Sequence, residues 1–223
     1  MPGFPAMSAS DRVYAAWQRR GETDYIFSFW TALGWSLLTL GIYSFYVFYQ
    51  LVRRMRDHNA RRTELFDAAL TFGWEEAGRR GLQQELTPSF QRASAHIDAL
   101  RRMTTDFREP IVWLLLAIIA RGIAELIAFV LLDQVLVKHD RAEVSVEYEL
   151  SVIFERLGQA LPPPDQQRVK GQNNYAGRVV ATVFSLGIYL FWWYYNQMND
   201  PNLHFRTNWL QEDALVAAVG ALR

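Results

Sequence analysis

The chain has no cysteine, which excludes disulfides, Cys-ligated zinc, iron–sulfur clusters and thiol nucleophiles. Lysine is nearly missing as well: of 23 basic residues, only Lys138 and Lys170 are lysines. Net charge is absent, with 23 Lys and Arg against 23 Asp and Glu, so the basic footprint of a nucleic-acid binder is lacking and no nucleic-acid partner is expected. The opening MPGFPAMSASDRVYAAWQRRGETD has neither the basic start, the apolar core nor the small-residue cleavage site of a signal peptide. It is expected to be retained, with a short amphipathic helix near residues 9–20. No glycine-rich phosphate loop, HExxH or serine-nucleophile motif occurs, so no catalytic residue and no cofactor are assigned.

What is present is apolar. Of 223 residues 51% are hydrophobic and 14% aromatic, yet the mean hydropathy is −0.06, so the apolar residues must lie in blocks. Residues 25–52, YIFSFWTALGWSLLTLGIYSFYVFYQLV, carry no charge. As one helix they would be about 42 Å long, more than the ~30 Å of a bilayer core requires. Tyr25, Phe27 and Trp30 at one end and Tyr46, Phe48 and Tyr49 at the other suit interfacial belts. Residues 179–199 form a second charge-free run with Trp192, Trp193, Tyr194 and Tyr195 near its end. A third block, residues 110–137, is apolar apart from Arg121, Glu125 and the Asp133–Gln134 pair. The expected fold is therefore an all-α integral membrane protein, with three apolar helical segments as transmembrane spans and polar helical extensions outside the bilayer.

The expected organisation is an N-terminal amphipathic segment (1–24), membrane segment 1 (25–52), a polar helical hairpin (53–108), membrane segment 2 (109–137), a polar helix and Pro-rich linker (138–174), membrane segment 3 (175–199) and a C-terminal amphipathic helix (200–223). Within 53–108, one helix continues the first span to Gly73 or Gly78, and another opens at Thr87-Pro88. EVSVEYEL at 143–150 alternates as a strand would, but is read as helix from its place in the repeat.

The first and last blocks align without gaps at an offset of 146, matching Gly41/Gly187, Ile42/Ile188, Tyr43/Tyr189, Phe45/Phe191, Tyr49/Tyr195 and His58/His204. Such self-similarity marks an internal repeat. The middle block joins through Gly122-Ile123, followed by His139 at the same interval of 17 that separates Gly41 from His58 and Gly187 from His204. Three of the four histidines thus share one repeat position.

TLGIYSFYVFYQ at residues 39–50 and SLGIYLFWWYYN at 185–196 resemble the repeated (T/S)LGIYxxYWxY signature of a bacterial integral membrane family classed as a domain of unknown function. The first copy departs from it with Val47 near the usual Trp. The resemblance implies a multi-pass protein of the bacterial cytoplasmic (inner) membrane, and no particular activity.

Three simple spans are the first expectation for topology. They leave the positive-inside rule with no signal, since nine juxtamembrane basic residues on one side oppose eight on the other. A competing arrangement folds each block at its Gly-Ile into a re-entrant hairpin, placing all arginines and the three repeat histidines on one side. Against it stands the intolerance of lipid for exposed breaks in a helix.

Arg121 and Glu125, four apart on one helix face, read first as an internally neutralised intramembrane pair that fixes packing, and second as part of a polar pathway. For His58, His139 and His204 no metal is expected, because alternating spans would put His139 across the membrane from the other two. Each histidine is read instead as capping or orienting the helix that leaves the membrane. The expected function is non-enzymatic: an assembly, scaffold or accessory subunit partnered by membrane lipids and by a protein or further copies of itself. An oligomeric transporter or channel with Arg121 and Glu125 facing its pathway comes next, then a lipid- or metal-dependent membrane enzyme.

Overall fold

The computed structural model describes residues 7–105, 109–165 and 173–223. Among them are nine helices and no strand: α1 (Ala9–Gln18), α2 (Arg20–Thr23), α3 (Phe29–Leu38), α4 (Ile42–Arg79), α5 (Gln83–Thr105), α6 (Pro110–Ile119), α7 (Ile123–Arg156), α8 (Tyr175–Phe184) and α9 (Ile188–Leu222). The segment 143–150 is helical, as its repeat position requires. Helix α5 opens a turn before Pro88 and carries that proline inside it.

The apolar blocks are not continuous helices, which overturns the expectation of three simple spans. Each breaks at its glycine into a helix of 10 residues, a tight turn, and a helix of 38, 34 or 35 residues that runs far into polar sequence. No described helix is both long and apolar enough to cross a membrane. The polar helix after the first block continues the apolar one within α4, and residues 200–223, expected as a separate amphipathic helix, are the continuation of α9.

The break follows from the motif itself. Gly41 and Gly187 adopt φ of 88° and 90°, the left-handed region open to glycine at no steric cost, and even Leu40 and Leu186 before them stand at φ 51°. The chain therefore reverses, and every amide through the turn finds an acceptor. Leu40 N–H donates to Leu37 O, Gly41 N–H to Ser36 O, Ile42 N–H to Thr39 O, and Ser44 N–H to Gly41 O. The remaining amide, of Tyr43, donates to the Thr39 hydroxyl at 2.9 Å. Residues 185–190 repeat the pattern, with Tyr189 N–H on the Ser185 hydroxyl at 2.9 Å. The Thr or Ser opening each motif is thus a cap, and the objection that lipid forbids a broken helix loses its force here. The middle turn, without Thr or Ser, uses Glu125, whose carboxylate accepts from Gly122 N–H at 3.3 Å.

Two apolar cores lie along the long helices. One, around Phe48, Trp113, Phe129 and Trp193, packs the three hairpins together; the other, around Val13, Phe66, Ile97, Phe154 and Val219, joins α1 and α5 to the far halves of α4, α7 and α9. The three turns meet around one cavity of about 250 Å³ lined by Ser36, Ser44, Arg121, Glu125, Gly187 and Leu190, among others. Between the cores, buried Arg54 fastens the first hairpin to α9. Pro201 has no N–H to offer the Gln197 carbonyl four residues earlier, and Arg54 Nη2 supplies the donor at 2.6 Å.

Candidate metal centre

The layer between the two cores is polar and buried. His58 on α4, His139 on α7 and His204 on α9 converge there, with ring centroids 5.7, 5.1 and 5.9 Å apart, nearly an equilateral triangle. Equal spacing along the chain produces this. Seventeen residues of helix rise about 25 Å from each glycine, so three hairpins turning at one level bring their histidines to one level. The expected separation of His139 from the other two fails because each block turns back at its glycine before reaching its histidine. Nor do these residues cap helices: each sits well inside a continuous one.

Glu143, one turn beyond His139 on α7, completes the group. The ligand atoms of His58, His139, His204 and Glu143 all lie within 4.8 Å of one another, and all four residues are buried. Glu143 Oε1 is 3.1 Å from His139 Nε2 and 3.9 Å from His58 Nε2, while Oε2 is 3.3 Å from His204 Nε2. The two remaining imidazole faces are fixed by carboxylates. His58 Nδ1 lies 2.9 Å from Asp24 Oδ1, and His204 Nδ1 lies 3.0 Å from Asp140 Oδ1. Asn208 Nδ2 donates to Glu143 Oε2 at 2.9 Å.

Arginines frame the layer. Arg62 reaches Glu143 at 2.6 Å, Glu147 at 2.7 Å and Glu212 at 3.1 Å, with its guanidinium over the Phe66 ring. Arg61 joins Asp24 and Glu212, each at 2.8 Å, and Trp209 Nε1–H donates to Asp24. Burial pushes both Asp24 and Glu143 toward protonation, but His58 and Arg61 around the first, and Arg62 with His139 and His204 around the second, outweigh it and hold both carboxyls well below their ordinary range. Burial drives His58 down to about 3 in spite of Asp24, so the imidazole is neutral. A neutral imidazole at His58 and an ionised carboxylate at Glu143 are the states in which these two groups can hold a cation.

The other residues singled out in the sequence lie at the turns. Ile42, Ile123 and Ile188 are exposed, and Tyr43 and Tyr189 carry the capped amides. Arg121 and Glu125 are not the expected neutralised pair, since no ion pair joins them among the described residues. The Arg121 guanidinium approaches Ser44 Oγ at 3.4 Å and covers the Phe45 ring at 5.0 Å, while Glu125 caps Gly122. Asp133 does not extend a pathway from them; it accepts from Arg178 at 2.6 Å, Gln197 at 2.7 Å and Trp193 at 3.2 Å, tying the second hairpin to the third. Sequence reasoning missed Glu143, Asp24 and Asp140. The spacing His139-x-x-x-Glu143, which puts both groups on one helix face, was the available signal for the first.

A protein-family model described as a domain of unknown function (DUF4234) matches residues 27–138, half of the chain, and the chain belongs to that family. The match holds the first hairpin with His58, α5, α6 and the first part of α7, and ends one residue before His139. No curated protein and no solved structure matches the chain.

Proposed function

We propose that this protein is a non-enzymatic scaffold or accessory subunit seated in one leaflet of a membrane, with its three hairpin turns in the hydrocarbon and its polar helices gathered on a single side. The observation that carries this reading is the apolar exposure of the turns: Leu40 is 93% exposed, Ile119 81% and Leu186 94%, flanked by exposed Leu38, Ile42, Ile123, Phe184 and Ile188. An apolar crown of this kind, interrupted only by exposed Arg121 with its guanidinium over the Phe45 ring, calls for a lipid or protein neighbour. Its depth favours lipid in one leaflet. A ten-residue helix rises about 15 Å, half of the ~30 Å hydrocarbon core, and the first and third turns satisfy their own amides. Arg53 and Arg56 begin where the apolar stretch of α4 ends, at the level expected for headgroups.

The Cys-free chain makes the test direct. Single cysteines replacing Ala60, Arg141 and Arg206, all exposed on the polar halves of the long helices, should react with a membrane-impermeant thiol reagent from the same side. Cysteines replacing Leu40, Ile119 and Leu186 should react from neither side until detergent is added. Labelling of any turn cysteine from the side opposite Ala60→Cys would mean that the hairpins cross, and the one-leaflet reading would be lost.

A further inference from the structure

We propose that His58, His139, His204 and Glu143 bind one divalent transition-metal ion, zinc by preference, and that this ion is a structural rivet joining the three hairpins. The inference is independent of how the crown meets a membrane.

The first support is dimensional. Zinc bonds of about 2.0–2.1 Å in a tetrahedron separate its ligand atoms by roughly 3.3 Å. His58 Nε2 and His204 Nε2 are 3.2 Å apart, His204 Nε2 and Glu143 Oε2 3.3 Å, and His139 Nε2 and Glu143 Oε1 3.1 Å. These three separations, taken to the two oxygens of Glu143, have the edge length of a zinc tetrahedron, and one ligand atom from each residue lies within 4.8 Å of the others.

The second support is the placement of protons. His58 and His204 each turn Nδ1 to a buried carboxylate, which places a hydrogen there and leaves the Nε2 atoms of the two rings facing each other beside Glu143. The two Nε2 atoms are only 3.2 Å apart, a separation at which one cation can be shared by both. The Asn208 amide is 3.4 Å from one and 3.1 Å from the other, but it has two hydrogens and directs one to Glu143. At most one imidazole can be served. His139 adds a third case: it is wholly buried and neither ring nitrogen has a hydrogen-bond partner, the approach to Glu143 being too oblique to count as one. Buried polar atoms left in this state are costly, and one cation would engage one nitrogen of each of the three rings.

The third support is the surroundings. A metal-bound histidine ordinarily gives its other N–H to a carboxylate or carbonyl, which fixes ring and tautomer, and Asp24 and Asp140 stand in that relation to two of the three rings. Three imidazoles and one carboxylate suit zinc, which imposes no strong geometric preference, before magnesium or calcium, which favour oxygen. Four protein ligands, all buried, leave no open position for a substrate, so the site is structural. Each hairpin supplies one histidine from the same repeat position, so the ion would add one further link among hairpins already joined by the apolar core and the arginine network.

The test uses the full-length protein in detergent. After chelation and gel filtration, zinc chloride alone should bind at about one ion per chain and raise the thermal midpoint by roughly 5 °C or more. X-ray absorption of the zinc-loaded wild type should report three imidazole nitrogens and one oxygen, a measurement that needs no variant to fold. Glu143→Gln should weaken zinc binding by 10-fold or more and His139→Ala should abolish it, whereas His96→Ala should leave it unchanged. The proposal is overturned if the chelated wild type takes up neither zinc nor manganese, iron, cobalt, nickel or copper, if absorption finds fewer than two imidazoles, or if folded His139→Ala binds zinc as the wild type does. None of these results bears on the cysteine-labelling outcome, so either reading can fail alone.

Discussion

The crown of hairpin turns and the polar layer some 25 Å below it solve opposite problems with the same three helices. At the crown the side chains, apart from the exposed Arg121 of the middle turn, face outward and apolar, with Leu40 and Leu186 almost bare, and it is the backbone whose polar groups must be satisfied internally. In the polar layer the backbone is ordinary helix, and it is the side chains, with His58, Glu143 and Glu212 wholly buried, that must satisfy one another. A single substitution should therefore reach stability in one region and membrane attachment in the other. Residue polarity alone does not say which.

The largest loss of stability is expected from Arg62→Leu, which removes the cation shared by Glu143, Glu147 and Glu212. Breaking a buried charge network in this way costs about 3–5 kcal/mol, measurable as a lowered denaturation midpoint in detergent, while whatever folds should still float with vesicles. If Arg62→Leu were as stable as the wild type, the polar layer would not be the structural centre of the molecule.

Next come Gly41→Val and Gly187→Val. A β-branched residue at φ near 90° should cost about 1–3 kcal/mol at each turn. These variants should lose stability and membrane association together, because they alter the turn that presents the crown.

Thr39→Val and Ser185→Ala remove only the hydroxyls that accept from Tyr43 and Tyr189. A loss of about 1 kcal/mol is expected from each, as for a helix cap, and Glu125→Ala should act similarly on the middle turn.

Smallest in stability, and largest in attachment, should be Leu40→Ser combined with Ile119→Ser and Leu186→Ser. Exposed in the isolated chain, these side chains can contribute only a few tenths of a kcal/mol each to folding. Each fully buried leucine or isoleucine contributes about 1.5–3 kcal/mol to transfer out of water. The triple variant should denature at the wild-type midpoint and float markedly less with vesicles, and unchanged flotation would argue that the crown meets protein instead of lipid.

How the layer escapes a reading of the sequence is visible at particular residues. The interval from Gly41 to His58, Gly122 to His139 and Gly187 to His204 is plain in the chain, yet it gives opposite answers for straight and reversed blocks. Straight blocks send His139 to the far side; reversed blocks bring all three histidines to one level. Asp24 and Asp140 carry no mark at all, one lying before the first apolar block and the other beside His139, and their role depends on which imidazole each happens to face. Arg121 and Glu125 mislead in the other direction, because a four-residue spacing permits an ion pair without requiring it, and here the glutamate is drawn to the Gly122 amide.

Helical character, the three apolar blocks, their glycines and the register of the histidines are all properties of local sequence, because each depends on residue type and on spacing along a helix of known rise. Whether a block runs through its glycine or doubles back was decided only by the tertiary structure. That choice turns on hydrogen bonds across the turn and on packing between hairpins distant in the chain. Once the chain doubled back three times, a pattern that looked like three separate helix ends became one buried cluster.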